Sequence, residues 1–382
     1  MAMAPTPQPK TLLGHHRVLS PSASIKVSPL CLGTMNFGEI WKDLVGECTK
    51  ETAFAILDRF YGAGGNFIDT ANMYMNGESE QWLGEWMAAR GVRDDLVIAT
   101  KYSTSWKMPF KEPEGQILSN YGGNNKKSLR LSLEASLKRL GTSYVDILYV
   151  HAWEGTTTIP ELMRALDDVV RAGLALYIGV SNWPAWVVSK ANEYARAHGL
   201  STFVVYMGRW NAAERDIERD VLPMCKAEGM GIAVWSALGG GKFKSADERK
   251  ETGGRADYGS QLGEASKDIF QKVYVALEKI AKGKNANPTS IALRYVMLKA
   301  PYVFPVCGGR KVHHLDSNIQ ALSIDLTDEE INEIDSAVPF EYGYPYNVLT
   351  GGKNRPVTAA DPAFMVYACG TFAGVDEPKA IH

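Results

Sequence analysis

The chain has 382 residues, with 41 Lys and Arg against 43 Asp and Glu and a net charge of −2. That balance creates no global field favouring nucleic acid or an anionic membrane. No apolar run reaches transmembrane length, and Met1 to Gln8 is a Pro-rich polar stretch rather than a charged-then-apolar leader. Five scattered cysteines (Cys31, Cys48, Cys225, Cys307, Cys369) include no Cys-x-x-Cys pair. An odd count in a long chain predicts reduced thiols and a cytoplasmic location.

Residues from Gly14 to Val27 read as a short polar hairpin ahead of the first buried strand, Leu30–Gly33. Strand and helix then alternate. Helix Thr52–Tyr61 leads to strand Phe67–Asp69, and helix Glu80–Ala89 to strand Val97–Lys101. A long loop with Pro109, Pro113 and Gly122-Gly123 precedes helix Lys127–Leu140. Strand Ile147–His151, helix Pro160–Ala172 and strand Tyr177–Ser181 follow, then helix Pro184–His198, opened by a proline whose missing N–H costs nothing there. Strand Phe203–Tyr206, helix Ile217–Glu228 and strand Ile232–Trp235 continue the rhythm. The Gly-, Ser- and charge-rich stretch Gly239–Lys267 interrupts it and reads as a functional loop or lid. Helices Ile269–Lys282 and Thr289–Lys299 precede the eighth strand, Tyr302–Pro305. Thr327-Asp-Glu-Glu330 fits a capping box opening a last helix.

Eight short apolar strands separated by helices predict an α/β fold, a (β/α)8 TIM barrel with an N-terminal hairpin and a C-terminal helical tail. A single domain spans 1–382, with the barrel at about 28–340 and the tail at 341–382, where Gly, Pro and aromatic residues suit either a cover over the substrate mouth or a partly disordered segment. A doubly wound sheet is the competing architecture, weakened because no Gly-x-Gly-x-x-Gly turn follows an early strand.

Four of the apolar runs end on polar residues: Phe67-Ile-Asp69, Val97 to Lys101, Ile147 to His151 and Tyr177 to Ser181-Asn182. A polar group just past a buried strand is costly unless it faces a ligand at an open end. In parallel barrels that end carries the active site. Asp69, Lys101 and His151 stand on consecutive strands about 4.8 Å apart, and Tyr74 lies on the loop leaving the strand of Asp69. Together they suit a proton relay. A phenol is a poor acid near its ordinary pKa of about 10; a nearby ammonium stabilises the phenolate, and a carboxylate keeps that ammonium charged. Tyr74 then protonates a carbonyl oxygen as hydride reaches the carbon, and His151 orients that carbonyl. Any one of these residues alone is more often structural. All four at one barrel mouth favour catalysis.

The strings Ile68-Asp-Thr-Ala-Asn-Met-Tyr74, Gly77-Glu-Ser-Glu80, Ala99-Thr-Lys101, Leu148-Tyr-Val-His151 and Gly179-Val-Ser-Asn182 resemble the aldo-keto reductase signatures, over about residues 30–338. Pro184 to Asn192, Gly208-Arg-Trp-Asn211, Gly239-Gly-Gly241 and Val306 to Val312 are similar to fungal aryl-alcohol dehydrogenases. The resemblance implies that Asp69, Tyr74, Lys101 and His151 form the catalytic tetrad and that NADP(H) lies over the barrel mouth. It implies that Ser181 and Asn182 hold the carboxamide, that Trp235 stacks on the nicotinamide, and that Arg310 and Lys311 bind the 2′-phosphate, with Asn318 at adenine. A guanidinium fork suits a phosphate dianion, and Gly308-Gly309 precedes the two cations. Gly239 to Lys242 lets backbone approach the pyrophosphate; it is not a P-loop, since Ser236 and Phe243 replace the required residues.

Two departures stand out. Met207 occupies the place of a glutamine that shares the carboxamide contact, removing a hydrogen bond worth about 1 kcal/mol. Ala152 replaces an aromatic after His151, which widens the space beside it. Trp106, Trp153 and Trp183 are candidate pocket walls. His15-His16 and His313-His314 lack partners at zinc spacing, so no metal is expected. The expected function is NADPH-dependent reduction of aromatic aldehydes or ketones, reversible toward alcohols. The alternatives are a ketoreductase tailoring a polycyclic secondary metabolite and an NADP(H)-binding regulatory subunit.

Overall fold

Apolar residues crowd both faces of the eight barrel strands, so the sheet needs cover inside and out, and closing on itself supplies it. In the computed structural model, which describes residues 7–107, 115, 117–243, 264–375 and 378–380, the strands form a closed parallel barrel. They are β3 (Cys31–Gly33), β4 (Phe67–Asp69), β5 (Val97–Tyr102), β6 (Val145–Val150), β7 (Ala175–Ser181), β8 (Phe203–Arg209), β9 (Gly231–Trp235) and β10 (Val303–Gly308). Each pairs with its sequence neighbour, and β10 closes on β3.

Alternation along each strand sorts the side chains. Cys31, Phe67, Val97, Ala99, Ile147, Tyr149, Val205, Met207, Ala233 and Phe304 fill the barrel interior. Ile68, Ile98, Leu148, Val180, Tyr206 and Val234 belong to the larger core beneath the helices. The predicted hairpin is present as antiparallel β1 (Arg17–Ser20) and β2 (Ala23–Val27). Its Leu19, Ala23 and Val27 join the interior cluster, so the hairpin closes the end of the barrel opposite the polar strand ends.

The helices are α1 (Lys42–Val45), α2 (Lys50–Gly62), α3 (Glu78–Arg90), α4 (Lys126–Leu140), α5 (Ile159–Arg171), α6 (Ala185–Ala197), α7 (Ile217–Glu228), α8 (Glu264–Gly283), α9 (Pro288–Lys299), α10 (Val312–Ala321) and α11 (Asp328–Ala337). Side chains of Thr49, Asn125 and Thr158 cap α2, α4 and α5 by accepting from backbone N–H groups of the first turn. Thr327 and Glu330 form the predicted capping box of α11. Pro184 sits one residue before α6, as its cap, rather than inside it.

Several boundaries differ from expectation. Strand β6 stops at Val150, leaving His151 just beyond it, while β8 and β10 each run three residues further than expected. Their extra residues, Met207-Gly-Arg209 and Val306-Cys-Gly308, still pair in the ladder, which apolar pattern alone does not reveal. The expected loop around Pro109 and Pro113, and residues 244–263 of the expected lid, lie outside the described residues. The tail contains short α12 (Tyr346–Leu349) and α13 (Phe364–Ala368). Arg219 of α7 donates to the carbonyl oxygens of Glu341 and Tyr342, fixing the start of the tail on the outer helical layer. Among the described residues no helix is long and apolar enough to cross a membrane.

Candidate active site

The C-terminal ends of the strands surround a cleft of about 320 Å³. Asp69 closes β4, and Lys101 stands one residue from the end of β5. Lys101 is 1 % exposed and Asp69 2 %. Lys101 Nζ donates to both carboxylate oxygens of Asp69 at 2.6 Å and to the Thr70 carbonyl at 2.7 Å. It also lies 3.3 Å from Tyr74 Oη. Burial opposes charge on both members of the pair and raises the Asp69 carboxyl. For Lys101, burial works against the ammonium, but the charges of Asp69 and Tyr74 outweigh it and raise its pKa. Lys101 is therefore a cation at neutral pH, with the phenol of Tyr74 beside it.

His151 is anchored by its backbone N–H, which donates to the Tyr102 carbonyl at 2.9 Å. Its ring meets the Tyr74 ring edge-on at 6.1 Å between centroids. Burial, with the Lys101 charge adding to it, pushes the imidazole down to about 3, so it is neutral at physiological pH. A neutral imidazole can donate one hydrogen bond to a ligand oxygen without competing as an acid.

Ser181 ends β7, and Asn182 follows in a left-handed conformation with φ of 57°, which Asn tolerates better than most residues. The Asn182 N–H donates to the Met207 carbonyl. Asn182 Nδ2 donates to Ser181 Oγ at 3.0 Å, and Trp235 Nε1 donates to Asn182 Oδ1 at 3.1 Å. Ser181, Asn182 and Trp235 thus form one hydrogen-bonded group at the cleft, and Met207 contributes a thioether beside them. Gly239, Gly240 and Gly241 adopt φ of 65°, 63° and 91°, three left-handed residues in a row that side chains would strain. Gly239, Lys242 and Gly308 also line the cleft.

The remaining predicted binding residues stand apart. Arg310, Lys311 and Asn318 lie beyond Gly308 at and within α10, outside the cleft lining. Arg310 rests against Gly46, where an added Cβ would overlap the guanidinium, and its charge acts on the buried Cys48 thiol. Asn318 is buried and Lys311 exposed. The three candidate wall tryptophans do not line the cleft. Trp183 turns into the core and packs on Phe203, Trp153 packs on Trp183 at 4.7 Å, and Trp106 lies beside Tyr121 under Arg139. Residues 342–375 are not among the residues that line the cleft.

Sequence reasoning missed Met35, Asn36 and Trp41 of the β3–α2 connection, Met73, and the Arg209–Glu214 ion pair at 3.2 Å. Arg209 was discoverable: it is another polar residue ending a buried strand, hidden because β8 was expected to stop at Tyr206. Trp41 gave no signal, since its position depends on how a long connection folds back over the mouth.

The barrel, the buried Asp–Lys pair beside a phenol and the polar strand ends agree with comparison to known proteins. This chain belongs to the aldo/keto reductase family, whose model matches residues 29–339. It is 51 % identical over 372 residues to norsolorinic acid reductase B of Dothistroma septosporum, covering 96 % of this chain and 94 % of that one. Norsolorinic acid reductase A of Aspergillus parasiticus is 53 % identical over 349 residues, 91 % of this chain and 87 % of the relative. An aryl-alcohol dehydrogenase of Pestalotiopsis microspora is 51 % identical over 383 residues, covering 100 % of this chain and 96 % of its own. The protein is an oxidoreductase of a family that generally uses NAD(P)H and acts on small carbonyl compounds.

Proposed function

We propose that this enzyme uses NADPH to reduce the carbonyl of an aromatic aldehyde or ketone, reversibly, with Tyr74 as general acid. The observation that carries this reading is the contact of Lys101 Nζ with Asp69 at 2.6 Å and with Tyr74 Oη at 3.3 Å, opposite a neutral His151. A nicotinamide cofactor held at this mouth would supply the hydride that the carbonyl carbon takes up. His151 donates a hydrogen bond to the carbonyl oxygen and polarises it. Tyr74 gives its hydroxyl proton to that oxygen, completing the alcohol. The phenolate left behind is stabilised by the Lys101 ammonium and regains a proton from solvent.

The residues suit this cofactor. Trp235 offers a ring held by Asn182, Ser181 and Asn182 offer hydroxyl and amide groups to a carboxamide, and Gly240 and Gly241, with open space where a Cβ would stand, let a pyrophosphate come close to the backbone. Arg310 and Lys311 supply the charge for a 2′-phosphate, with Asn318 toward adenine, which favours NADP(H) over NAD(H). Five free cysteines, four of them buried, accord with a reducing compartment such as the cytoplasm.

A second reading narrows the substrate to a polycyclic aryl ketone of secondary metabolism. Two of the relatives above are named as norsolorinic acid reductases, and the residue after His151 is the small Ala152. The test is consumption of NADPH, and separately NADH, with substrates from benzaldehydes to polycyclic aryl ketones. Turnover with NADPH supports the reductase, and the preferred size separates the two readings. Tight NADPH binding without turnover points to a regulatory role instead.

A further inference from the structure

Tyr74 is followed by an unusual turn. Met75, Asn76 and Gly77 take φ of 48°, 54° and 96°, three consecutive left-handed residues, two of them not glycine. Such backbone persists only where its surroundings hold it. The backbone N–H of Trp41 donates to Met75 Sδ on the cleft side, and a second holding group lies on the far side of the loop. Glu80, in the first turn of α3, is 0 % exposed. Its Oε2 accepts from Arg139 Nε at 2.8 Å and from Nη2 at 2.6 Å, and its Oε1 accepts from Thr100 Oγ1 at 2.5 Å.

Each partner leads back to the reacting groups. Thr100 is the neighbour of Lys101 on β5 and points the opposite way, outward to Glu80. Arg139, from the last turn of α4, donates through Nη2 to the Asn72 carbonyl at 3.4 Å, two residues before Tyr74. Its stem packs where a Cβ on Gly77 would stand, and its guanidinium lies over the Trp106 ring at 5.5 Å. Asn72 is itself fixed, donating through Nδ2 to the Thr104 carbonyl at 2.9 Å and through its backbone to the Lys101 carbonyl.

We infer that the pair of buried Glu80 and half-buried Arg139 is a positioning device for the reaction: it ties the loop of Tyr74 to the strand of Lys101 and sets the distance between phenol and ammonium. This rests on the reading of Tyr74 as the proton donor. Neither Glu80 nor Arg139 lines the cleft, so neither is a catalytic residue. The guanidinium places two N–H groups on Glu80 Oε2 and reaches the Asn72 carbonyl as well; a lysine keeps the charge but not the fork that does both.

The test compares R139K, R139M and the double variant E80Q/R139M, with kcat, KM, the NADPH Kd by tryptophan fluorescence, and the melting temperature. The double variant leaves no uncompensated buried charge and so guards against simple unfolding. The proposal expects kcat to fall by roughly 100-fold in R139M and the double variant, as a displacement of about 1 Å at the reacting groups would cause. R139K falls less, and NADPH Kd stays within about twofold because the cofactor face is untouched. In a Y74F background, single-turnover rates fall no further on adding R139M, since the pair acts through that phenol. A lowered melting temperature with unchanged kcat overturns the proposal, as does an R139M loss that persists in full in Y74F. Full activity of Y74F alone overturns instead the reading on which it rests.

Discussion

Lys101 and Asp69 face each other inside the barrel mouth with Nζ 2.6 Å from both carboxylate oxygens, and both side chains are almost wholly buried. Neither charge is tolerable there without the other. Asp69→Asn strands the ammonium, and the free energy of unfolding in urea falls by about 3–5 kcal/mol. The double variant D69N/K101M recovers much of that loss, because no buried charge remains, yet reduces no substrate.

His151 makes stability depend on acid in a defined window. Burial holds its imidazole down at about 3, with Lys101 adding to the effect, while the unfolded side chain protonates near 6.5. As pH falls, the unfolded chain takes up the proton first. The stability this contributes is whole above about pH 6.5 and is lost as pH falls toward about 3. Replacing His151 with Gln removes that component. Unfolding free energy measured across the window then declines less steeply than in the parent, by about one proton's worth of slope. An unchanged slope means that the imidazole already titrates normally in the folded protein.

Cofactor choice is expected to reside at Arg310. Arg310→Ala weakens NADPH binding by roughly 10- to 100-fold, the worth of charge-assisted hydrogen bonds to a phosphate, and leaves NADH within about twofold. Gly46→Ala acts in the same direction, because its Cβ displaces the guanidinium. Isothermal titration with both cofactors reads the difference.

In the proposed cofactor site Met207 offers a thioether where an amide would offer a hydrogen bond. It lines the cleft beside Asn182, whose backbone N–H already uses the Met207 carbonyl. Met207→Gln restores an amide at this position and tightens NADPH by about 1 kcal/mol, near fivefold in Kd. Equal or weaker binding shows that the nicotinamide lies differently here.

The barrel was legible because its strands are short, doubly buried apolar runs, a pattern with few other uses. Asp69, Lys101, His151 and Ser181 were legible for the same reason: a polar residue at the end of such a run contradicts its surroundings unless it faces a cleft. Tyr74 carried no such signal by itself, since its place depends on the left-handed turn after it. Strand β8 was cut short at Tyr206 because Met207-Gly-Arg209 mixes apolar and charged residues, and Arg209 was lost with it. Trp106, Trp153 and Trp183 are candidate walls by sequence, yet indole rings find burial in any direction, and Trp183 finds it in the core. Trp41 and the Glu80–Arg139 pair depend on contacts between distant segments, which spacing along the chain does not encode.

Tyr74 is proposed to deliver the proton that completes the alcohol. Single-turnover reduction of an aryl ketone by the NADPH complex, compared between the parent enzyme and Tyr74→Phe, tests it most directly. Tyr74→Phe is expected to bind NADPH with unchanged affinity while reduction slows by at least about 100-fold, the usual contribution of a positioned general acid. Reduction at close to the parent rate would contradict it.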